Sequence, residues 1–404
     1  MKFIRGNIMS YINFKEEISV ANDQLNKRRE NNKKLCDDMF KDKSKASKFQ
    51  IDNQYSFKTI TNILFGEKGV KKEDEFIEIA NRDIICSKFV ECKFYNVKFK
   101  DCKFIGCLFD KCDFGGGGVI FEGCCFLKKE SEEIPSLNCT DNFSTEFRKS
   151  KLYCKFLDCN LGFAIFDNDE LSNICFENNN LNSVIIKDST TDGIKIQDSN
   201  MRGFKTINTY IKDLDFLDEG RSSFDEKTFF DKIPLREKTR DEYEGIYHVY
   251  ETLADKFKEN NLNNNFGEYY FLCKTVQRKT LKPIPKLLSY IYWFSCGYGE
   301  RPENAAISSL VIIIIFSILF LIFGLDINGE TVKYTVNYIR NCSIMKFWND
   351  LKIAFDSSVG AFTGVGYNAG EPLENTYFLG DIEMLLGVIM MGIGIGTITR
   401  KIVR

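Results

Sequence analysis

Histidine is almost absent: His248 is the only one in 404 residues, and with it goes the side chain most used as a general base or metal ligand near neutral pH. His248 itself lies among Tyr247, Val249 and Tyr250, which fits a packed helical position. Enzymatic chemistry is therefore not expected. Charge of either sign is not in excess either, since 55 Lys+Arg against 57 Asp+Glu leave a formal net charge of -2. Without a polybasic tail, nucleic acid is not an expected partner. No continuous apolar core with a small-residue cleavage site opens the chain, so no secretory signal is read and the N-terminal mass is expected in the cytosol. The cysteines lack the two-plus-two spacing of a zinc site. Gly115 to Gly118 is followed by neither Lys-Ser nor a helix start, which makes it loop chemistry and not a phosphate cradle.

What is plentiful is Phe, at 37, and Cys, at 15. Much of both falls into a period of five. A large apolar residue recurs at Ile79, Ile84, Phe89, Phe94, Phe99, Phe104, Phe109 and Phe114, and again at Phe156, Leu161, Phe166, Leu171, Phe176, Leu181, Ile186, Thr191, Ile196 and Met201. Two residues earlier runs a smaller register: Ile77, Ser87, Cys92, Val97, Cys102, Cys107 and Cys112, then Cys154, Cys159, Ala164, Ile174, Val184, Ser189 and Ser199, broken by Arg82, Asp169 and Asn179. Neither helix nor strand has a period of five, so this is an internal repeat. The thiols read as small apolar fillers of one inward column. Cys342, outside the repeat, reads as a free thiol on the opposite side of the membrane.

These rows, from about Ile77 to Phe216, resemble the pentapeptide-repeat family. The resemblance implies a right-handed quadrilateral β-helix with one pentapeptide per side, whose turns stack ~4.8 Å apart. About eighteen readable repeats would make four to five coils. The two blocks are out of phase, which places an inserted loop at about 115–150, within a repeat domain over 73–220. Before it, 1–72 is a polar, helical region, read as a cap for the first open edge or a partner-binding arm. After it, 230–282 alternates charged residues with Tyr247, Tyr250, Leu253, Phe257, Tyr269 and Phe271 around a polar break, a helical hairpin linker. The fold class expected is thus mixed: β-helix, helical arm, helical hairpin and an α-helical membrane portion.

That membrane portion begins with an interfacial segment, 283–301, where Tyr290, Tyr292 and Trp293 cluster as in headgroup-level aromatic belts. A two-span domain over 302–404 follows, with a first span at 307–325, a pore helix at 348–362 and a second span at 377–399. Between pore helix and second span stands Thr363-Gly364-Val365-Gly366-Tyr367-Asn368. A backbone-lined filter needs small residues that accept unusual dihedrals. Here the chain resembles two-span potassium channels, whose filter reads Thr-Thr-Val-Gly-Tyr-Gly. The resemblance implies a homotetramer in which carbonyls of Gly364, Val365, Gly366 and Tyr367 replace ion hydration. It also departs from the family: Gly364 removes one hydroxyl ring, Asn368 replaces the outer glycine, and Ala369 replaces an aspartate. The ion implied is therefore a monovalent cation, potassium or sodium, with no cofactor. Asp381 and Glu383 are read as acidic groups at the pore mouth. Gly387, Gly392, Gly394 and Gly396 are candidate hinge or packing positions in the second span. Lys279, Lys282, Lys286 and Arg301 before the first span, and Arg400, Lys401 and Arg404 after the last, put both ends in the cytoplasm of a plasma-membrane protein.

With the sequence ending just after the second span, gating is expected to come from the N-terminal side, through an unidentified cytoplasmic ligand or protein. Three readings follow: a cation channel in the bilayer, a membrane-tethered scaffold whose pore does not conduct, and a DNA mimic of the kind found among soluble pentapeptide proteins. Mimicry needs an acidic rod, whereas Lys88 to Lys111 is rich in lysine. The glycines around the filter, Gly360, Gly364, Gly366 and Gly370, favour conduction.

Overall fold

A computed structural model describes residues 12–42, 50–127, 144–327, 329–335, 343–367 and 370–403. The chain divides into two compact units, Tyr11–Gln277 and Arg278–Arg404.

The first unit is a β-solenoid of parallel strands. Phe89 pairs with Phe109, Phe156 with Phe176 and Ile186 with Thr206, so one turn takes four pentapeptides. The bend after each central residue is made by a left-handed residue two positions later. Positive φ recurs at Asn81, Cys86, Glu91, Asn96, Asp101, Gly106 and Lys111, and again at every fifth residue from Asp158 to Asn208. Asn, Asp and Gly dominate these corners because other L-residues lose roughly 1–2 kcal/mol there.

The longest unbranched stack of strands has eight, from Thr59–Thr61 to Phe229–Phe230. That makes about seven turns, a stack roughly 34 Å long at ~4.8 Å per turn, and corrects the four to five coils expected from the readable repeats. The extra turns are hidden by insertions: Ile60 pairs with Phe89 across a longer step than the regular one, and Thr206 pairs with Phe230. The central break is also narrower than the expected 115–150 loop. Phe121 and Phe126 are fully buried in the stack, with Phe121 opposite Phe99, so Gly115 to Gly118 merely adds two residues to one turn. Phe147, opposite Phe109, is in the stack again. The expected polar loop from Lys128 to Asn142 lies outside the described residues.

Four ring columns fill the core. Phe65, Phe94 and Phe114 stack at 4.7 and 4.6 Å. Phe89, Phe109, Phe147 and Phe166 stack at 4.9, 4.9 and 5.0 Å. Phe99, Phe121, Phe156 and Phe176 form a third column, and Phe104 and Phe126 a fourth. Adjacent columns meet edge to face, as at Phe99 and Phe104. Burial of each ring contributes about 1.5–3 kcal/mol. The small register does more than leave room. Cys92, Cys102, Cys107, Cys112, Cys124 and Cys159 each aim Sγ at a carbonyl one turn below, at 3.3–3.4 Å. Thr209 and Asn179 reach the equivalent carbonyls with stronger donors.

Helix α1, Phe14–Lys41, runs along the flank of this stack instead of covering its first edge. Glu17 pairs with Lys205 near one end, Ala21 and Leu25 pack on Ile165, Ile185 and Ile207, and Met39 packs on Ile85 and Ile105 near the other. Buried Arg28 donates to the Phe163 carbonyl at 3.2 Å, and desolvation lowers its pKa to about 9. The last turn is capped by α2, Arg240–Glu259, and α3, Asn263–Thr280. Here Tyr250 and Tyr269 hydroxyls accept from the N–H groups of Ile233, just past the last strand, and of Phe230 within it, which has no further turn to pair with.

The second unit contains α4, Pro283–Cys296; α5, Pro302–Phe323; α6, Ile344–Thr363; and α7, Tyr377–Val403. Prolines open α4 and α5, where the missing N–H costs nothing. Gly324 ends α5, and Leu325–Ile327 pairs antiparallel with Glu330–Val332 and with Glu371–Pro372. The apolar helix thus stops short of the expected residue 325. α5 and α7 are each long and apolar enough to cross a membrane.

Candidate pore loop

Helix α6 packs against both apolar helices. Two serines fix it. Ser358 Oγ donates to the Ile313 carbonyl of α5 at 2.8 Å, and Ser357 Oγ donates to the Gly370 carbonyl at 2.7 Å on the far side of the loop. Tyr334 donates to buried Asp350 at 2.8 Å from the hairpin side. The helix starts at Ile344, one turn earlier than expected, after Ser343 at its N-cap position.

The loop then follows from glycine geometry. Gly364 ends α6 in the left-handed conformation, with φ 73°, and Gly366 has φ 100°, while Val365 between them keeps a negative φ. The Gly360 carbonyl accepts N–H groups from both Val365 and Gly366, at 3.0 and 3.2 Å. A Cβ on Gly360 would clash with the Gly366 carbonyl, so this folding-back requires glycine. Thr363 Oγ1 bonds the Val359 carbonyl at 2.7 Å. Val365 is 76% exposed in the single chain. Tyr367 turns the other way: its ring packs near Phe320, and its hydroxyl lies where a Cβ on Gly380 would stand. Asn368 and Ala369 lie outside the described residues, as does Cys342.

Of the two carboxylates expected at the mouth, only Asp381 is exposed. Glu383 is a correction: it is fully buried, with its Oε1 against the Ser358 hydroxyl oxygen. Spacing explains the difference, because two residues along a helix turn a side chain by about 200°, to the opposite face. The four α7 glycines also separate. Gly387 is a close-packing position, where a Cβ would clash with the Phe362 carbonyl at the base of the loop. Gly394 sits opposite Ala305 of α5, and Gly392 and Gly396 face open space in the single chain. α7 itself is continuous through all four and extends beyond the expected end at 399. Sequence reasoning missed the roles of Ser357, Ser358 and Gly380; a serine pair inside an apolar helix was the available signal for the first two.

Among known proteins, residues 89–128 match the family model described as pentapeptide repeats (9 copies). No curated protein matches the chain. Solved structures of QnrB1, described as a plasmid-mediated fluoroquinolone resistance protein, are similar to part of it. A trypsin-treated form is 14% identical, with a TM-score of 0.18 over 40% of this chain and 77% of that one. The full-length form is 15% identical, with a TM-score of 0.17 over 39% and 88%. The chain therefore carries a pentapeptide-repeat segment in its solenoid.

Proposed function

We propose that this chain is one subunit of a homotetrameric, cation-conducting membrane channel whose gate is controlled by a cytoplasmic pentapeptide-repeat β-helix, right-handed and four-sided. The observation that carries the reading is the loop Thr363–Tyr367. Left-handed glycines alternate with Val365 at the end of a helix wedged between two apolar helices. Alternating handedness is the backbone pattern that a carbonyl-lined filter needs; in the single chain the Gly366 carbonyl packs against Gly360 of α6, so in the assembly it turns outward to join the others. The C-terminal dipole of α6 adds a partial negative charge behind it. One loop makes a quarter of such a filter, and the exposed Val365 and the open faces of Gly392 and Gly396 are surfaces for the other copies. α5 and α7 are the spans of a plasma-membrane protein with both ends cytoplasmic, and α4 lies at the lipid interface. Potassium or sodium permeates without a cofactor. No catalytic chemistry and no nucleic-acid partner are assigned, and a ligand or protein at the solenoid supplies the stimulus.

A second reading, a membrane-tethered scaffold with a silent pore, is favoured by the solenoid alone, since such repeats serve as rigid binding surfaces. Planar-bilayer recording with potassium and sodium on opposite sides separates the two. Cation current lost in Gly366→Asp is the expected result, because any side chain is strained at this left-handed φ of 100° and a carboxylate would be placed in the loop. Silence of the wild-type protein and of a chain lacking the solenoid supports the scaffold.

A further inference from the structure

Between α4 and α5 three consecutive residues have left-handed backbone: Gly297 with φ 53°, Tyr298 with φ 59° and Gly299 with φ 83°. The glycines adopt this freely. Tyr298 does not, and its side chain is correspondingly held. Its hydroxyl lies 2.8 Å from Ser289 Oγ and accepts from Arg278 Nη1 at 3.3 Å. Arg278, in the last turn of α3, is buried, with its guanidinium 4.3 Å from the Tyr290 ring centre and 5.1 Å from that of Trp293. On the other side of the turn the Glu300 carboxylate is 1% exposed and pairs with Arg400 at 2.8 Å. Gly299 brings its backbone against the same guanidinium: a Cβ there would stand 3.0 Å from it. Arg400 lies in the last turn of α7. One line of contacts therefore joins the end of α3 to the end of the second apolar helix through a strained turn.

We propose that Glu300 and Arg400 are positioning residues that latch the cytoplasmic end of α7 to the α4–α5 turn, so that a displacement of α3, passed through Arg278 and Tyr298, sets how often the pore opens. The inference rests on the channel reading for its consequence, but not for the latch itself. A buried carboxylate is stable only while its cation is in place, so the pair favours two discrete arrangements, made and broken, over a graded one. Arg301 and Lys401 flank the pair and are left intact in the test.

Full-length wild type, Glu300→Gln, Arg400→Gln and the exchange Glu300→Arg with Arg400→Glu are compared in two measurements. In hydrogen exchange, each single change is expected to speed exchange of 397–403 about ten-fold, with the solenoid unchanged, and the exchanged pair to recover most of it. In bilayers, the single changes are expected to shift open probability about ten-fold at unchanged unit conductance, and the exchanged pair to restore it. Unchanged exchange of 397–403 in both single variants overturns the latch. Faster exchange with wild-type open probability overturns its role in gating. A wild-type protein that passes no current while exchange responds as expected removes the channel reading and the gating role, and leaves the latch standing.

Discussion

Phe109 in the solenoid and Ile314 in α5 are both large apolar residues in long regular arrays, yet the first is 1% exposed and the second 44%. The contrast runs through the two units. Solenoid rings find partners one turn above and one below, so each turn completes the burial of its neighbour and the chain needs no second molecule. Unit 278–404 is unfinished by itself: Leu310, Ile314, Ile318, Leu385, Val388 and Ile395 remain open. Apolar area on that scale marks a surface meant for lipid or for further copies. The polar groups follow the same division, since capping tyrosines close the solenoid's end while the loop at Val365 is left facing outward.

The sharpest way to break the comparison is to separate the halves. The intact chain is expected to stay with membranes through alkaline carbonate washing, and a chain stopped after Thr280 to move to the supernatant. An intact chain released by carbonate would show that the exposed array is covered by protein instead of lipid. Within the second unit, Gly360→Ala is expected to abolish cation current, because the new methyl displaces the Gly366 carbonyl from its place against α6. Gly394→Ala, whose Cβ would stand in ordinary contact 4.0 Å from that of Ala305, is the matched control. Equal currents from the two variants would remove Gly360 as the support of the loop.

Next in size is the paired truncation of Phe109 and Ile318. Phe109→Ala leaves a hole between Phe89 and Phe147, and should lower unfolding stability by about 3–5 kcal/mol. Ile318→Ala trims a side chain that is 47% exposed and should cost the single chain under about 1 kcal/mol. Denaturant melts of the full chain in detergent, followed by β-sheet circular dichroism, compare them. A Phe109 effect no larger than that of Ile318 would mean the ring columns are not what holds the stack.

The same contrast governs what could be read from sequence. The central positions of the solenoid were legible because burial repeats with the period of the chain, and Phe89 to Phe114 sit where the five-residue rows put them. The outer turns were not, since Ile60 and Phe230 join the stack across insertions that erase the period. Corner residues such as Asn168 and Asn178 were visible as letters, but their left-handed role belongs to the backbone. In the second unit Gly364 and Gly366 were visible as letters, and both take a left-handed backbone. The burial of Glu383 was not, because its place depends on how α7 faces Ser358, and that is a tertiary fact. The latch between Glu300 and Arg400 joins residues a hundred positions apart and had no local signature.

The smallest expected effect sharpens the comparison from inside the solenoid, at two positions of the same register. Asn179 accepts from Cys159 N–H at 2.7 Å and donates from its amide to the Phe156 carbonyl at 2.8 Å. Asp169 accepts from Ser150 N–H at 2.7 Å, but its other oxygen is buried with no hydrogen-bond partner among the described residues. Burial pushes its carboxyl well above the ordinary carboxylate range. In the unfolded chain the group ionises near pH 4, at about its usual value. Above that pH, and up to the raised folded value, the folded state binds the extra proton, so stability falls as pH rises through the window. Asp169→Asn removes that dependence and supplies the donor that Asn179 has. The variant should gain about 1 kcal/mol at pH 8, with the gain shrinking toward zero below pH 4. Denaturant midpoints at the two pH values read this directly. A variant less stable than wild type at pH 8 would show that the carboxylate is ionised and paired there, and that the register tolerates a charge it otherwise fills with thiols and hydroxyls.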